Sequence, residues 1–180
     1  MIISYKECLK QFGSDYKIKN LLKENKIYKI QDGIYSTEQY VSDIEVITVK
    51  YPEAIYTMDS AFYFYGLTDV IPEVHYISTK RNATRIHDDN IKQSFMENAI
   101  FDLGKTEIEY QGDKIQIYNQ ERMLIELIRH KNKLPLDYYK EIINNYRTKI
   151  NELDFGKISE YAEHFKMKQT IMNTIQMEVL

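Results

Sequence analysis

The sequence predicts an α+β protein, and three observations carry that prediction. Residues 1–36 read as two short amphipathic helices running into a hairpin, residues 37–118 hold several strand-like runs, and nearly everything beyond Asn119 has helical periodicity.

Tyr5, Cys8, Leu9 and Phe12 recur at i, i+3, i+4 and i+7, which predicts a helix over about Ser4 to Gln11 with one apolar stripe. Gly13 ends it, because glycine tolerates the left-handed residue that closes many helices. Ser14 or Asp15 can cap the next helix, which runs to about Glu24 and buries Ile18, Leu21 and Leu22. Helical geometry points Tyr16, Asn20 and Lys23 away from that stripe, with Lys17 and Lys19 on its flanks. The runs 27–30 and 34–36 then predict two strands joined at Asp32-Gly33, a pair favoured in tight hairpins. Two helices followed by such a hairpin have the order of a small, truncated winged helix-turn-helix, spanning residues 1–40.

Charge points the same way. Residues 1–36 carry seven lysines against four acids, a net +3, whereas the remainder carries 17 basic and 23 acidic side chains, a net −6. A basic end on an acidic chain predicts a local phosphate-binding patch rather than a generally sticky surface. The candidate DNA-binding residues are Tyr16, Lys17, Lys19, Asn20 and Lys23 on the second helix, with Lys26, Tyr28 and Lys29 from the hairpin. Here lysines would neutralise phosphates and Asn20 and Tyr16 would approach base edges. Tyr35 also falls near this surface. Arg81 and Arg85, with Lys80, form a second basic cluster, suited either to another phosphate contact or to pairing with Asp88 and Asp89.

Residues 41–180 are expected to form a larger α+β domain. A short polar connector leads to a helix over 44–50, a strand at 54–57, an aromatic helix over about 59–65 stopped by Gly66, and strands at 74–79 and 91–96. Residues 107–110 and 114–118 alternate about Gln111-Gly112-Asp113 and predict a second hairpin. The helical remainder breaks at Pro135, at Asp154-Phe155-Gly156 and near Lys166. In its first helix, Arg122 lies one turn before Glu126, the spacing of an internal ion pair, and Glu121 sits where the helix dipole favours an acid. From Lys157 the tail repeats Ile158, Tyr161, Ala162 and Phe165, then Ile171, Met172, Ile175 and Met177, at helical spacing, which predicts two helices capping the domain, with a methionine face open to dimerisation.

Other classes have less support. No run of eighteen apolar residues occurs and no apolar leader opens the chain, so a cytoplasmic protein is expected. The single cysteine, Cys8, falls on the apolar stripe and reads as a small core residue. Asp102, Glu107 and Glu109 have the spacing of nuclease carboxylates, but the lysine such sites carry is missing. His75, His87, His130 and His164 show no ligand spacing, and no phosphate-cradling glycine loop is present. No catalytic residues, metal site or cofactor are expected.

The succession Gly33-Ile34-Tyr35, then Ser60-Ala61, Gly66-Leu67-Thr68-Asp69 and Pro72, then the ERMLIEL run at 121–127, resembles the AbiEi antitoxin family of bacterial abortive-infection loci, over residues 1 to about 147. The resemblance implies an N-terminal winged helix and a C-terminal α/β domain. It further implies repression of the protein's own operon through inverted-repeat operator DNA, and antagonism of an AbiEii-like nucleotidyltransferase toxin without obligatory contact, the type IV arrangement. Family members carry another helix before the pair found here, and a fragment this small should pack on the larger domain. Their wing tips favour arginine where this chain has Gln31-Asp32, which leaves wing contacts to Tyr28 and Lys29. Two other readings stay open: an antitoxin that binds its toxin directly with a vestigial helix-turn-helix, and a stand-alone transcriptional regulator.

Overall fold

A computed structural model describes residues 2–180 as an α+β chain with two sheets. The elements, in order, are β1 (Ile2–Ser4), α1 (Tyr5–Phe12), α2 (Asp15–Lys23), β2 (Tyr28–Gln31), β3 (Ile34–Ser36), α3 (Asp43–Lys50), β4 (Ile55–Tyr56), α4 (Met58–Phe64), β5 (His75–Lys80), β6 (Ile91–Met96), α5 (Asn98–Phe101), β7 (Lys105–Tyr110), β8 (Asp113–Tyr118), α6 (Gln120–Arg129), α7 (Leu136–Thr148), α8 (Phe155–Ala162) and α9 (Lys168–Glu178). Short 3₁₀ turns at Lys131–Lys133 and Ile150–Glu152 flank α7. The chain divides into two compact units.

The first unit comprises residues up to Glu53, with Gln111–Asp113. It therefore extends past residue 40 and takes in α3. Ser4 starts α1 through a reciprocal cap: its hydroxyl accepts from the Glu7 amide at 3.3 Å, and Glu7 Oε2 accepts from the Ser4 amide at 2.8 Å. Gly13, with φ of +85°, ends the helix as its spacing predicts, and Ser14 caps α2 by accepting from the Lys17 amide. The three strands pair in the order β1-β3-β2, all antiparallel, with Ile3 opposite Tyr35 and Lys29 opposite Tyr35 on its other side. Gly33 makes the hairpin turn at φ of +77°, and the register slips between Lys29 and Gln31, leaving Ile30 as a bulge. Cys8, Ile18, Ile27 and Tyr35 form the core, ringed by Ile3, Leu9, Phe12, Leu21 and Leu22. The sequence gives no periodic signal for β1, which is three residues long. Helix α3 packs on β1 and buries Ile44 and Ile47, so the third helix of this unit follows the hairpin instead of preceding the helix pair.

The second unit holds residues 54–110 and 114–180. Its five strands lie in the order β6-β5-β4-β8-β7, with β4 antiparallel to β5 and parallel to β8. The β7–β8 turn is closed by Gln111 and Gly112, both at positive φ, the pairing that a two-residue hairpin loop requires. β5 and β6 run parallel although only residues 81–90 connect them, without a helix. Gln93 pins that connector: its amide nitrogen donates to Thr79 Oγ1 at 2.7 Å and to the Thr84 carbonyl at 3.1 Å, while its oxygen accepts from the Ile86 amide at 2.8 Å.

Helix α6 is buried from Glu121 to Ile128 and forms the axis of this unit, contacting α4, α8 and α9. Of the apolar positions predicted for the tail, Ile158, Ala162, Phe165, Ile171 and Ile175 are buried, Tyr161 and Met172 are half-buried, and Met177 is exposed. Among the described residues, no helix is long and apolar enough to cross a membrane.

Candidate nucleic-acid interface

In the first unit, α2 is anchored by Ile18, which is buried, and by half-buried Leu21 and Leu22. A nine-residue helix fixed along one stripe must turn its other residues outward. Tyr16 accordingly stands 73 % exposed, and Lys17, Lys19 and Lys23 are exposed beside it. Asn20 is half-buried at the border of this face. Lys26, in the turn after α2, and Lys29, on β2, are exposed, and Tyr28 is half-buried. Tyr35 differs from the expectation: β3 is the central strand, so its inward residue enters the core, and Tyr35 is 9 % exposed.

The lysines are not equivalent. Lys19 Nζ lies 2.8 Å from Asp15 Oδ2 one turn earlier, and Asp15 also accepts from the Tyr5 hydroxyl at 3.4 Å. The Asp15 bond holds the Lys19 ammonium above its ordinary pKa, and the same bond holds the Asp15 carboxyl below its own. Lys29 Nζ sits 2.5 Å from Asp32 Oδ1 at the hairpin turn, with the same reciprocal shifts from that hydrogen bond. Lys26 pairs with Glu24 at 2.7 Å. Among the described residues, Lys17 and Lys23 enter no ion pair. These two ammonium groups are thus the ones on this face whose charge no neighbouring carboxylate offsets. All the pairs are solvent-exposed, so each contributes little to folding and can be exchanged for an external anion.

Arg81 and Arg85 belong to the second unit, in the connector between β5 and β6, and both are exposed. Arg81 stands 3.8 Å from Glu97, and Lys80 lies over the Phe101 ring at 5.5 Å.

A different charge cluster lies inside the second unit. Arg122 is fully buried on α6, where its Nε and Nη2 donate to Glu126 Oε1 at 3.0 and 2.8 Å. The pairing is the one its i, i+4 spacing predicts. Nη1 reaches the carbonyls of Ile100 and Leu103, and the guanidinium lies over the rings of Tyr118 and Phe165. Arg129 adds two bonds to the Glu126 carboxylate at 2.8 and 2.7 Å. Every polar atom of Arg122 points at a protein partner, so the cluster supports the fold rather than awaiting a ligand. Among the described residues, no group of three or more His, Cys, Asp or Glu is arranged to hold a metal ion.

The sequence missed one polar group in the second unit. Asp59 on α4 accepts from the Tyr138 hydroxyl at 3.2 Å, and its carboxylate lies close enough to Tyr76 to raise that phenol's pKa. The three residues lie far apart in the chain, and no local pattern joins them. No protein-family model matches the chain, and neither does any curated protein.

Proposed function

We propose that the chain is a DNA-binding antitoxin of the AbiEi type, whose first unit is a winged helix-turn-helix that represses its own operon and whose second unit counters a nucleotidyltransferase-like toxin. One observation carries the DNA-binding part: α2 turns Tyr16, Lys17, Lys19 and Lys23 outward together, beside a hairpin that presents Lys29. The strand order β1-β3-β2 supports it, since the hairpin is then held against the same core as α2. The helix that relatives carry ahead of the pair has a stand-in in α3, which packs on β1 from the other direction in sequence. The antitoxin part rests on the likeness of residues 60–72 and 121–127 to the family's motifs.

In this reading Lys17 and Lys23 meet phosphates first, because nothing must be displaced to free them. Asn20 and Tyr16 face the base edges, and the protein acts as a cytoplasmic repressor on inverted repeats. Titrating the upstream duplex at several salt concentrations tests it. A Lys17→Ala, Lys23→Ala double variant should weaken binding and flatten the slope of log affinity against log salt by about two units. Unchanged affinity and slope would remove α2 from the interface. A second reading, an antitoxin that binds its toxin directly, is favoured by one observation: three of the five lysines at this face are already held by the protein's own acids. Stoichiometric co-purification with the toxin would select that reading.

A further inference from the structure

The second unit contains an open groove of about 460 Å³, within the size range of sites that hold a small ligand or a few side chains. Its floor is Asp59, set between Tyr76 and Tyr138. Burial, reinforced by the Asp59 carboxylate, pushes the Tyr76 phenol up to about 12 and raises that of Tyr138 further, so both hydroxyls stay protonated at neutral pH, and that of Tyr138 donates to Asp59 at 3.2 Å. The walls are apolar, formed by Val70, Ile71, Leu134 and Pro135. Val70 is 53 % and Ile71 71 % exposed, side by side on a surface where large apolar groups normally stay covered. Glu73 stands on the rim. Met58, directly before Asp59, holds φ of +45°, a left-handed backbone that a non-glycine residue keeps only where its surroundings enforce it.

The chemistry of the floor selects the occupant. A carboxylate held by the Tyr138 hydroxyl, with Glu73 also lining the groove, attracts a cation. Lys92 does not line the groove; it is engaged with Tyr76, 4.7 Å over its ring and 3.4 Å from its hydroxyl. Apolar walls leading to an acidic floor suit a long basic side chain, whose alkyl stem lies along the walls while its head reaches the carboxylate.

We infer that this groove docks a segment of a partner protein in which an arginine or lysine lies between apolar side chains, with Asp59 receiving the cation and Val70 and Ile71 covered by its neighbours. The groove lies wholly in the second unit, so the inference stands or falls apart from DNA binding by the first.

The test is a titration of the isotope-labelled full chain, followed by amide NMR, with a blocked pentapeptide carrying a central arginine between isoleucine and valine, and with its citrulline counterpart. Citrulline keeps the shape and removes the charge. The expected result is that the arginine peptide moves the amides of Val70, Ile71, Val74 and Leu134, and that citrulline weakens its binding about tenfold, the scale of one charge-assisted hydrogen bond. Asp59→Asn, which keeps an acceptor for the Tyr138 hydroxyl, should weaken the arginine peptide similarly. If that variant does not fold, Glu73→Gln on the exposed rim should still lower the affinity. Equal binding of the two peptides, no movement at the groove at millimolar peptide, or movement that tracks protein concentration without peptide would overturn the inference, the last by making a second copy of the chain the occupant.

Discussion

Arg122 and Glu126, one turn apart on α6, form an ion pair with both side chains essentially sealed from solvent. Removing either partner alone strands a charge in the interior. Glu126→Gln would leave Arg122 facing only carbonyls and rings, and Arg122→Met would leave the carboxylate dependent on half-exposed Arg129. Each single variant should lose about 3–5 kcal/mol of stability, whereas an Arg122→Met, Glu126→Met double variant should lose less than the worse single one, because no unpaired charge remains sealed in the interior and the half-exposed Arg129 still reaches solvent. Urea denaturation of the three variants measures the difference. Equal or additive losses would mean that the pair is not electrostatically coupled.

Gly104 lies against that same arginine. Its φ is +76°, and a Cβ added there would fall 2.6 Å from Arg122 Cβ and 2.9 Å from Asn119 Oδ1. Gly104→Ala therefore combines left-handed strain with overpacking against a side chain that cannot withdraw, and should cost about 2–4 kcal/mol. Gly112→Ala is the control, since its positive φ imposes the strain but no atom lies near the added carbon. The difference between the two denaturation midpoints isolates the steric contribution at Gly104.

The ion pair and the first-unit core were legible in the sequence for one reason: both repeat within a helical turn. Arg122 with Glu126, and Cys8, Leu9 and Phe12, announce themselves by spacing alone, whereas Tyr5, placed on the same stripe by its spacing, stays exposed at the first turn of α1. β1 and α5 were not legible, being three and four residues long, too short for any period to register. The parallel pairing of β5 with β6 was hidden because its connector lacks the helix that normally marks a crossover. At the candidate site, spacing identified the outward face of α2, but which of its lysines were already neutralised depended on rotamers and on Asp15, Glu24 and Asp32 lying within reach. The Asp59–Tyr76–Tyr138 floor is assembled by tertiary structure alone.

The cap of α1 makes the stability of the first unit sensitive to acid. Glu7 is held below its ordinary pKa of 4.5, chiefly by the hydrogen bond from the Ser4 amide. A depressed carboxyl contributes stability that is present above its unfolded pKa and lost as pH falls through the folded value. The loss should therefore begin near pH 4.5 and continue below it. The carboxyl carbon of Glu7, followed by NMR, should titrate with a midpoint below 4.5, and the Ser4 amide should shift with the same midpoint. Ser4→Ala keeps the amide donor but loses the hydroxyl, so it should raise the Glu7 midpoint part of the way. An unshifted Glu7 in the intact chain would mean that the cap does not persist in solution.

The hairpin turn offers the sharpest test of the proposed DNA face, because there the sequence works against binding. Asp32 has a side chain 98 % exposed and holds Lys29 at 2.5 Å, so the turn presents a neutral pair and places a carboxylate where phosphates would approach. Asp32→Asn keeps a turn-forming side chain while releasing the ammonium. If the hairpin lies along the duplex, one more cation becomes available to displace a counterion. The salt slope should then steepen by about 0.9, and affinity at 0.1 M salt should rise by up to about tenfold. Asp15→Asn should do the same for Lys19 on α2. The two variants divide the interface: a gain from Asp15→Asn without one from Asp32→Asn would place the helix on DNA and the hairpin off it. No gain from either would count against the whole face, since freeing a lysine at a phosphate contact cannot leave its salt dependence unchanged.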